Sequence, residues 1–174
     1  MSKLIFVAVV FALAVGVARA AHAPIVDPAP IVDISSVAAL PMLDKKPYEA
    51  KANADAAIDV AFERARKSGK RVLIDLGGNW CPDCLVVANV MRLRNVKPFV
   101  AAHYEVAFVD VGRFDKNLQV LLRFGIREHL EYVPSVLVAD PNGELVNGGN
   151  FSDLADARNM TPQAIVDWLA KWTK

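Results

Sequence analysis

Hydrophobic positions change their spacing several times along this chain, and each change marks an element. Ala57, Ile58, Ala61, Phe62 and Ala65 recur at three- and four-residue intervals, which predicts a helix opened by Asn53 or Asp55 and stopped at Ser68-Gly69. Its basic tail, Arg64, Arg66 and Lys67, suits a solvated helix C-terminus better than a binding patch. The β-branched run 71–76 then predicts a buried strand, Gly77-Gly78-Asn79 a turn, and residues 85–93 a second helix. Pro82 falls where a first helical residue needs no N–H. Residues 95–103 carry a helix broken or restarted at Pro98, and 104–111 a second strand. Asp115 or Asn117 opens a helix that Gly125 ends. After Val133-Pro134, residues 135–139 predict a third strand; the turn Asp140-Pro141-Asn142-Gly143 returns 144–147 as its antiparallel partner. Thr161-Pro162 begins a closing helix with Ile165, Trp168, Leu169 and Trp172 on one face. The fold class expected is α/β: a central mixed β-sheet with helices on both faces.

The N-terminal part follows other rules. Lys3, the apolar run 4–17 and the small residues of Ala18-Arg19-Ala20 make an export signal, with cleavage expected after Ala20 because cleavage after Ala23 would place Pro24 badly. The run is shorter than the roughly 20 residues a membrane span needs, although an uncleaved segment anchoring the protein to the membrane is the alternative. The expected location is the bacterial periplasm. Residues 21–47 are rich in Ala, Pro and Val and repeat Pro-Ile-Val-Asp at 24–27 and 30–33, which favours an extended arm or linker, or a strand along the domain edge. Residues 48–174 suit one domain. A formal net charge of +1 gives no reason to expect nucleic acid or anionic lipid as a partner.

Chemistry concentrates in one place. The two cysteines of the chain, Cys81 and Cys84, lie at the junction between the first strand and its helix. Unpaired amides and the helix dipole there favour a thiolate, so Cys81 should ionise more readily than a free cysteine. An inert structural disulfide is the plain alternative in an exported protein, but a bridge closing so short a loop stabilises little. A metal site is a weaker reading, since His22, His103 and His129 lack ligand spacing to the cysteines; copper held by Cys81, Cys84 and His129 is its remaining form. No metal and no cofactor beyond the disulfide is expected. With both cysteines in one site, none is left for a covalent dimer, and a monomer is expected.

Taken together, the motifs of residues 48–174 resemble the thioredoxin superfamily. Trp80-Cys81-Pro82-Asp83-Cys84 is similar to its Cys-x-x-Cys motif, Asp75 stands where the family keeps a buried acid, and Phe124-Gly125-Ile126 matches its Tyr-Gly-Ile. Val133-Pro134-Ser135 matches the segment with the family's cis-proline, and Asn142-Gly143-Glu144-Leu145 its following hairpin turn. The departures are residues 127–132, inserted before the proline and expected on the substrate-facing rim, the Pro-Asp motif centre, and Leu85 in place of a lysine.

That resemblance implies a thiol-disulfide oxidoreductase. Cys81 would be the nucleophile and Cys84 the resolving thiol. Asp75, buried below Cys84, would have a raised pKa and accept its proton; the alternative is an acid that solvates a strand end. Trp80, Pro82, Asp83, Val133 and a cis Pro134 would meet the substrate, protein or small-molecule disulfide, with a substrate strand pairing against Val133. A packed tryptophan and a trans proline are the bland readings of Trp80 and Pro134. The Asp83 carboxylate should oppose the Cys81 thiolate and make the couple reducing, so the expected direction is reduction of exported proteins, recharged by a membrane electron donor. A disulfide isomerase or oxidant, or a binding module without catalysis, is the alternative.

Overall fold

The computed structural model describes residues 28–174. The expected export signal and the first part of the arm lie outside the described residues. Helix α1, Ala54–Ser68, is capped by Asn53, whose side chain accepts from Ala56 N at 3.0 Å, and ends on Gly69 in the left-handed region (φ 73°). Such a cap stabilises a helix by about 1 kcal/mol. Strand β1, Arg71–Gly77, leads into helix α2, Pro82–Met91, then α3, Lys97–His103, and β2, Tyr104–Asp110. Helix α4, Gln119–Arg123, β3, Ser135–Ala139, and α5, Pro162–Lys171, complete the domain.

The sheet has the order β2-β1-β3, with β1 parallel to β2 and antiparallel to β3. Because side chains alternate along a strand, β1 feeds two cores. Val72, Ile74 and Leu76 pack with Ile58, Ala61, Phe62 and Ala65 of α1, while Leu73 joins Val87 and Val90 of α2 and Ile165 and Leu169 of α5. This is the α/β arrangement the hydrophobic pattern indicates, a mixed sheet covered by helices.

Helix α2 begins at Pro82, the first helical position the sequence indicates, and Cys81 caps it: its sulfur accepts from Cys84 N at 3.2 Å. Two elements differ from expectation. Helix α4 starts later than Asp115 or Asn117. The chain before it is folded by local polar contacts, with Asp115 Oδ1 accepting from Arg113 N at 2.8 Å and Asn117 Nδ2 donating to Asp110 O at 2.7 Å, and Phe114 and Asn117 take positive φ. The fourth strand shrinks to one bridge between Ala139 and Leu145. In its place the buried Asn147 side chain accepts from Val138 N and donates to Val136 O, both at 2.8 Å, so a side-chain amide satisfies the edge that a strand would have paired.

Residues 28–47 lie along the domain and are held by the same device. Gln163 bonds Val32 N and Pro30 O, Asn95 donates to Ile31 O, and the buried Asn89 bonds both Asp44 N and Asp44 O at 2.8 Å. Asp44 also pairs with Arg92 at 2.8 Å. Val32 and Leu40 enter the core beside α2 and α5. The strap ends at Tyr48, which is buried.

Candidate active site

The site is built where β1 stops and α2 starts. Cys81 N donates to Gly78 O at 3.0 Å, closing the turn that aims α2 away from the strand. Cys81 and Cys84 are joined as a disulfide, with their Cα atoms 5.3 Å apart. Cys84 is fully buried and Cys81 nearly so. Pro82, beside them, is exposed at the first helical position. The Val133–Pro134 peptide is cis, and Val133 O lies 3.4 Å from Cys81 Sγ. The Val133 carbonyl thus stands against the disulfide, with the cis Pro134 next to it in the chain.

Asp75 is completely buried. Its neighbours across the sheet are the apolar Phe108 and Val136. Burial pushes the carboxyl up to about 7, against the opposing effect of a hydrogen bond from Tyr48. Asp75 shares a strand face with Gly77 two residues on, and Gly77 is where Tyr48 and Cys84 meet. A Cβ on Gly77 would fall 2.6 Å from Tyr48 Oη and 2.9 Å from Cys84 Sγ. Only hydrogen fits there, so the phenol and the resolving sulfur crowd the same point above the acid.

Trp80 lies at the rim with 37 % of its surface exposed. Its indole N–H donates to Gly112 O at 2.5 Å, and the Arg113 guanidinium stands 4.5 Å over the ring. The indole also packs against Gly78, where a Cβ would be 2.6 Å from Nε1.

Asp83 departs from expectation. It is buried, and its carboxylate accepts from Arg158 N at 2.9 Å while Arg158 Nε lies 3.0 Å from each carboxylate oxygen. The second residue of α2 faces the short 3-10 turn Ala157–Asn159, so the Asp83 charge is balanced by Arg158. In the inserted segment, Leu130 is buried in the α1-side core, while Tyr132 is 57 % exposed next to Val133.

Two partners escaped the sequence pattern. Tyr48 Oη donates to Asp75 Oδ1 at 2.9 Å from 27 residues away. Asn79, in the active-site turn, accepts from Tyr48 N at 3.1 Å and donates to Tyr48 O at 2.6 Å. Arg158 is the other. No local spacing signals either contact; an isolated aromatic at the end of a proline-rich arm was the one available hint.

A family model described as thioredoxin-like matches residues 53–141, from the cap of α1 to the end of β3. The chain belongs to the thioredoxin-like family. The crystal structure of a disulphide isomerase from Xylella fastidiosa Temecula1 is similar to this thioredoxin-like chain over 76 % of its length and 99 % of the other, with 32 % identity and a TM-score of 0.68. A protein of unknown function from Pseudomonas aeruginosa shares 17 % identity over 71 % of this chain and 85 % of its own, with a TM-score of 0.39. Among curated proteins none matches the chain. The family, the Cys81–Cys84 pair and the Xylella structure together support a thiol-disulfide oxidoreductase in general.

Proposed function

We propose that this protein reduces disulfides of exported proteins, with Cys81 attacking and Cys84 resolving. The Cys81 thiolate attacks a substrate sulfur, one substrate thiolate leaves, and a mixed disulfide forms. Asp75 takes the Cys84 proton, Cys84 sulfur attacks Cys81 Sγ, and the second substrate thiolate departs. The product is the Cys81–Cys84 disulfide present in the structure. An electron donor, proposed to be in the membrane, then returns the pair to the dithiol.

The observation that carries this reading is the buried Asp75 carboxyl at the Gly77 end of β1. The described residues give it a phenol and apolar neighbours, and no cation. Its negative charge disfavours a thiolate close by, and disfavouring the thiolate favours the disulfide, which makes a couple reducing. Asp83 does not supply this effect, since Arg158 balances it.

The same Arg158–Asp83 pair favours a second reading, disulfide isomerisation. With Asp83 balanced, that carboxylate no longer opposes the stabilisation of the Cys81 thiolate by the α2 N-terminus, and an isomerase needs a long-lived nucleophilic thiolate. Reduction of insulin and reactivation of scrambled ribonuclease separate the two. Turnover of insulin with a reductant supplied, without reactivation of scrambled ribonuclease, supports the reductase; the opposite pattern overturns it in favour of the isomerase.

A further inference from the structure

We propose that Tyr48 is a positioning residue of the exchange reaction: its hydroxyl fixes one oxygen of the Asp75 carboxylate and leaves the other as the acceptor for the Cys84 proton. The inference rests on the reading of Asp75 as that acceptor. It adds a residue outside the thioredoxin-like match, which begins at residue 53.

The geometry is specific. Tyr48 Oη donates to Asp75 Oδ1 at 2.9 Å inside the core. Asp75 Oδ2, equally buried, has no hydrogen-bond partner among the described residues. A buried carboxylate oxygen without a donor is costly, and taking up a proton removes that cost. One oxygen is therefore occupied and the other is left to the thiol. At Gly77, two residues along the same strand face from Asp75, the Tyr48 hydroxyl and Cys84 Sγ lie against one point.

Tyr48 is also held as a positioning group must be. Asn79 grips its backbone at both N and O, which ties the phenol to the turn that carries Cys81. Phe108 packs edge-on to its ring, with centroids 5.5 Å apart and planes at 86°. The groups beside Asp75 are thus Tyr48 from the strap, Phe108 from β2 and Val136 from β3, with Cys84 Sγ of α2 close to the Tyr48 hydroxyl at Gly77. Arg92 stands over the Phe108 ring at 5.9 Å, committed to Asp44.

In the resolving step the Cys84 S–H bond breaks and an Asp75 Oδ2–H bond forms. The Cys84 electron pair makes the bond to Cys81 Sγ, and the bond from Cys81 to the substrate breaks with its pair on the substrate sulfur. No other reactant is required. The Tyr48 hydroxyl stabilises the carboxylate throughout, so removing it should raise the pH at which Asp75 becomes a competent base.

The test is stopped-flow reaction of the reduced full chain with one equivalent of dithiobis(nitrobenzoate). The first nitrothiolate released reports attack by Cys81, and the second reports resolution by Cys84. For Tyr48→Phe the midpoint of the second phase should move up by about one pH unit, the size expected for loss of a hydrogen bond to a charged group. The rate should fall severalfold at pH 7 and recover the parent value by pH 9, with the first phase unchanged. A midpoint that does not move, or a rate equally depressed at every pH, overturns the role of Tyr48.

Asp75→Asn in the same assay separates the two readings. If it slows the second phase and flattens its pH dependence while Tyr48→Phe leaves the midpoint in place, Asp75 stands as acceptor and Tyr48 falls. If it changes nothing, the acceptor reading falls as well. Should Tyr48→Phe not fold, Asn79→Ala loosens the phenol without removing it and must move the midpoint the same way; an unmoved midpoint counts against the proposal.

Discussion

Replacing Asp75 with Asn should make the protein more stable and a poorer catalyst, and the stability gain should depend on pH. Burial raises the carboxyl from 3.8 to about 7. Three pH units correspond to roughly 4 kcal/mol of differential stability between protonated and charged forms. The sign follows from proton counting. Between about pH 4 and pH 7 the folded chain keeps a proton that the unfolded chain has already lost. Stability is therefore whole below pH 4, declines as pH rises through that window, and carries the full cost above pH 7. Asparagine cannot ionise, and its carbonyl can still accept from Tyr48. The variant should match the parent near pH 4 and exceed it by up to about 4 kcal/mol at pH 8. At about 2 kcal/mol per molar urea, that is a midpoint gain of about 2 M. Urea unfolding of the oxidised protein at pH 4.5 and pH 8, followed by tryptophan fluorescence, measures it. An equal difference between variant and parent at both pH values would refute the account of Asp75 as a buried acid titrating near neutrality.

Four further outcomes follow. Cys84→Ser should accumulate a mixed disulfide through Cys81 that mass spectrometry detects, while Cys81→Ser should form none by that route; adducts of equal yield would remove the assignment of roles. Arg158→Gln leaves the Asp83 carboxylate without its cation, so the Cys81–Cys84 potential should become more negative, and Asp83→Asn should cancel that change in the double variant. An unchanged potential in Arg158→Gln would mean that the pair is structural only. Gly77→Ala drives a Cβ to 2.6 Å from Tyr48 Oη and 2.9 Å from Cys84 Sγ, and it should slow the resolving step more than the attacking step; equal slowing of both would count against the convergence at that point. Asn89→Ala strips two hydrogen bonds from Asp44 and should cost about 1–3 kcal/mol in urea unfolding; a change below the error of the fit would show the strap to be weakly attached.

Local pattern carried most of the fold because the local signals agree with one another. Asn53 and Gly69 bound α1, and the apolar run before Gly77-Gly78-Asn79 is β1. The same agreement put Cys81 and Cys84 at a strand-to-helix junction, while Asp75 and Pro134 were singled out by the resemblance to the thioredoxin superfamily. Where a side chain does the work of a backbone, periodicity is silent. Asn147 replaces a strand, and Asn89, Asn95 and Gln163 hold an extended segment that reads as a linker by composition.

The site shows the same division. Tyr48 and Arg158 lie 27 and 75 residues from the groups they bond, and no short-range spacing encodes such contacts. Asp83 is an example: its place beside Cys81 is legible in the sequence, but the Arg158 cation that balances it is not. The helix expected from Asp115 or Asn117 starts only at Gln119, because Asp115 and Asn117, good caps in isolation, spend their side chains on the preceding turn.

The central claim is that Cys81 and Cys84 form a reducing couple. Equilibration of the full chain in glutathione buffers of graded ratio, with the thiols quantified by alkylation, tests it most directly. A potential near that of thioredoxin, about −270 mV, is the result expected. A potential near about −120 mV would place the protein among disulfide donors and contradict the reading of Asp75 as the charge that favours the disulfide.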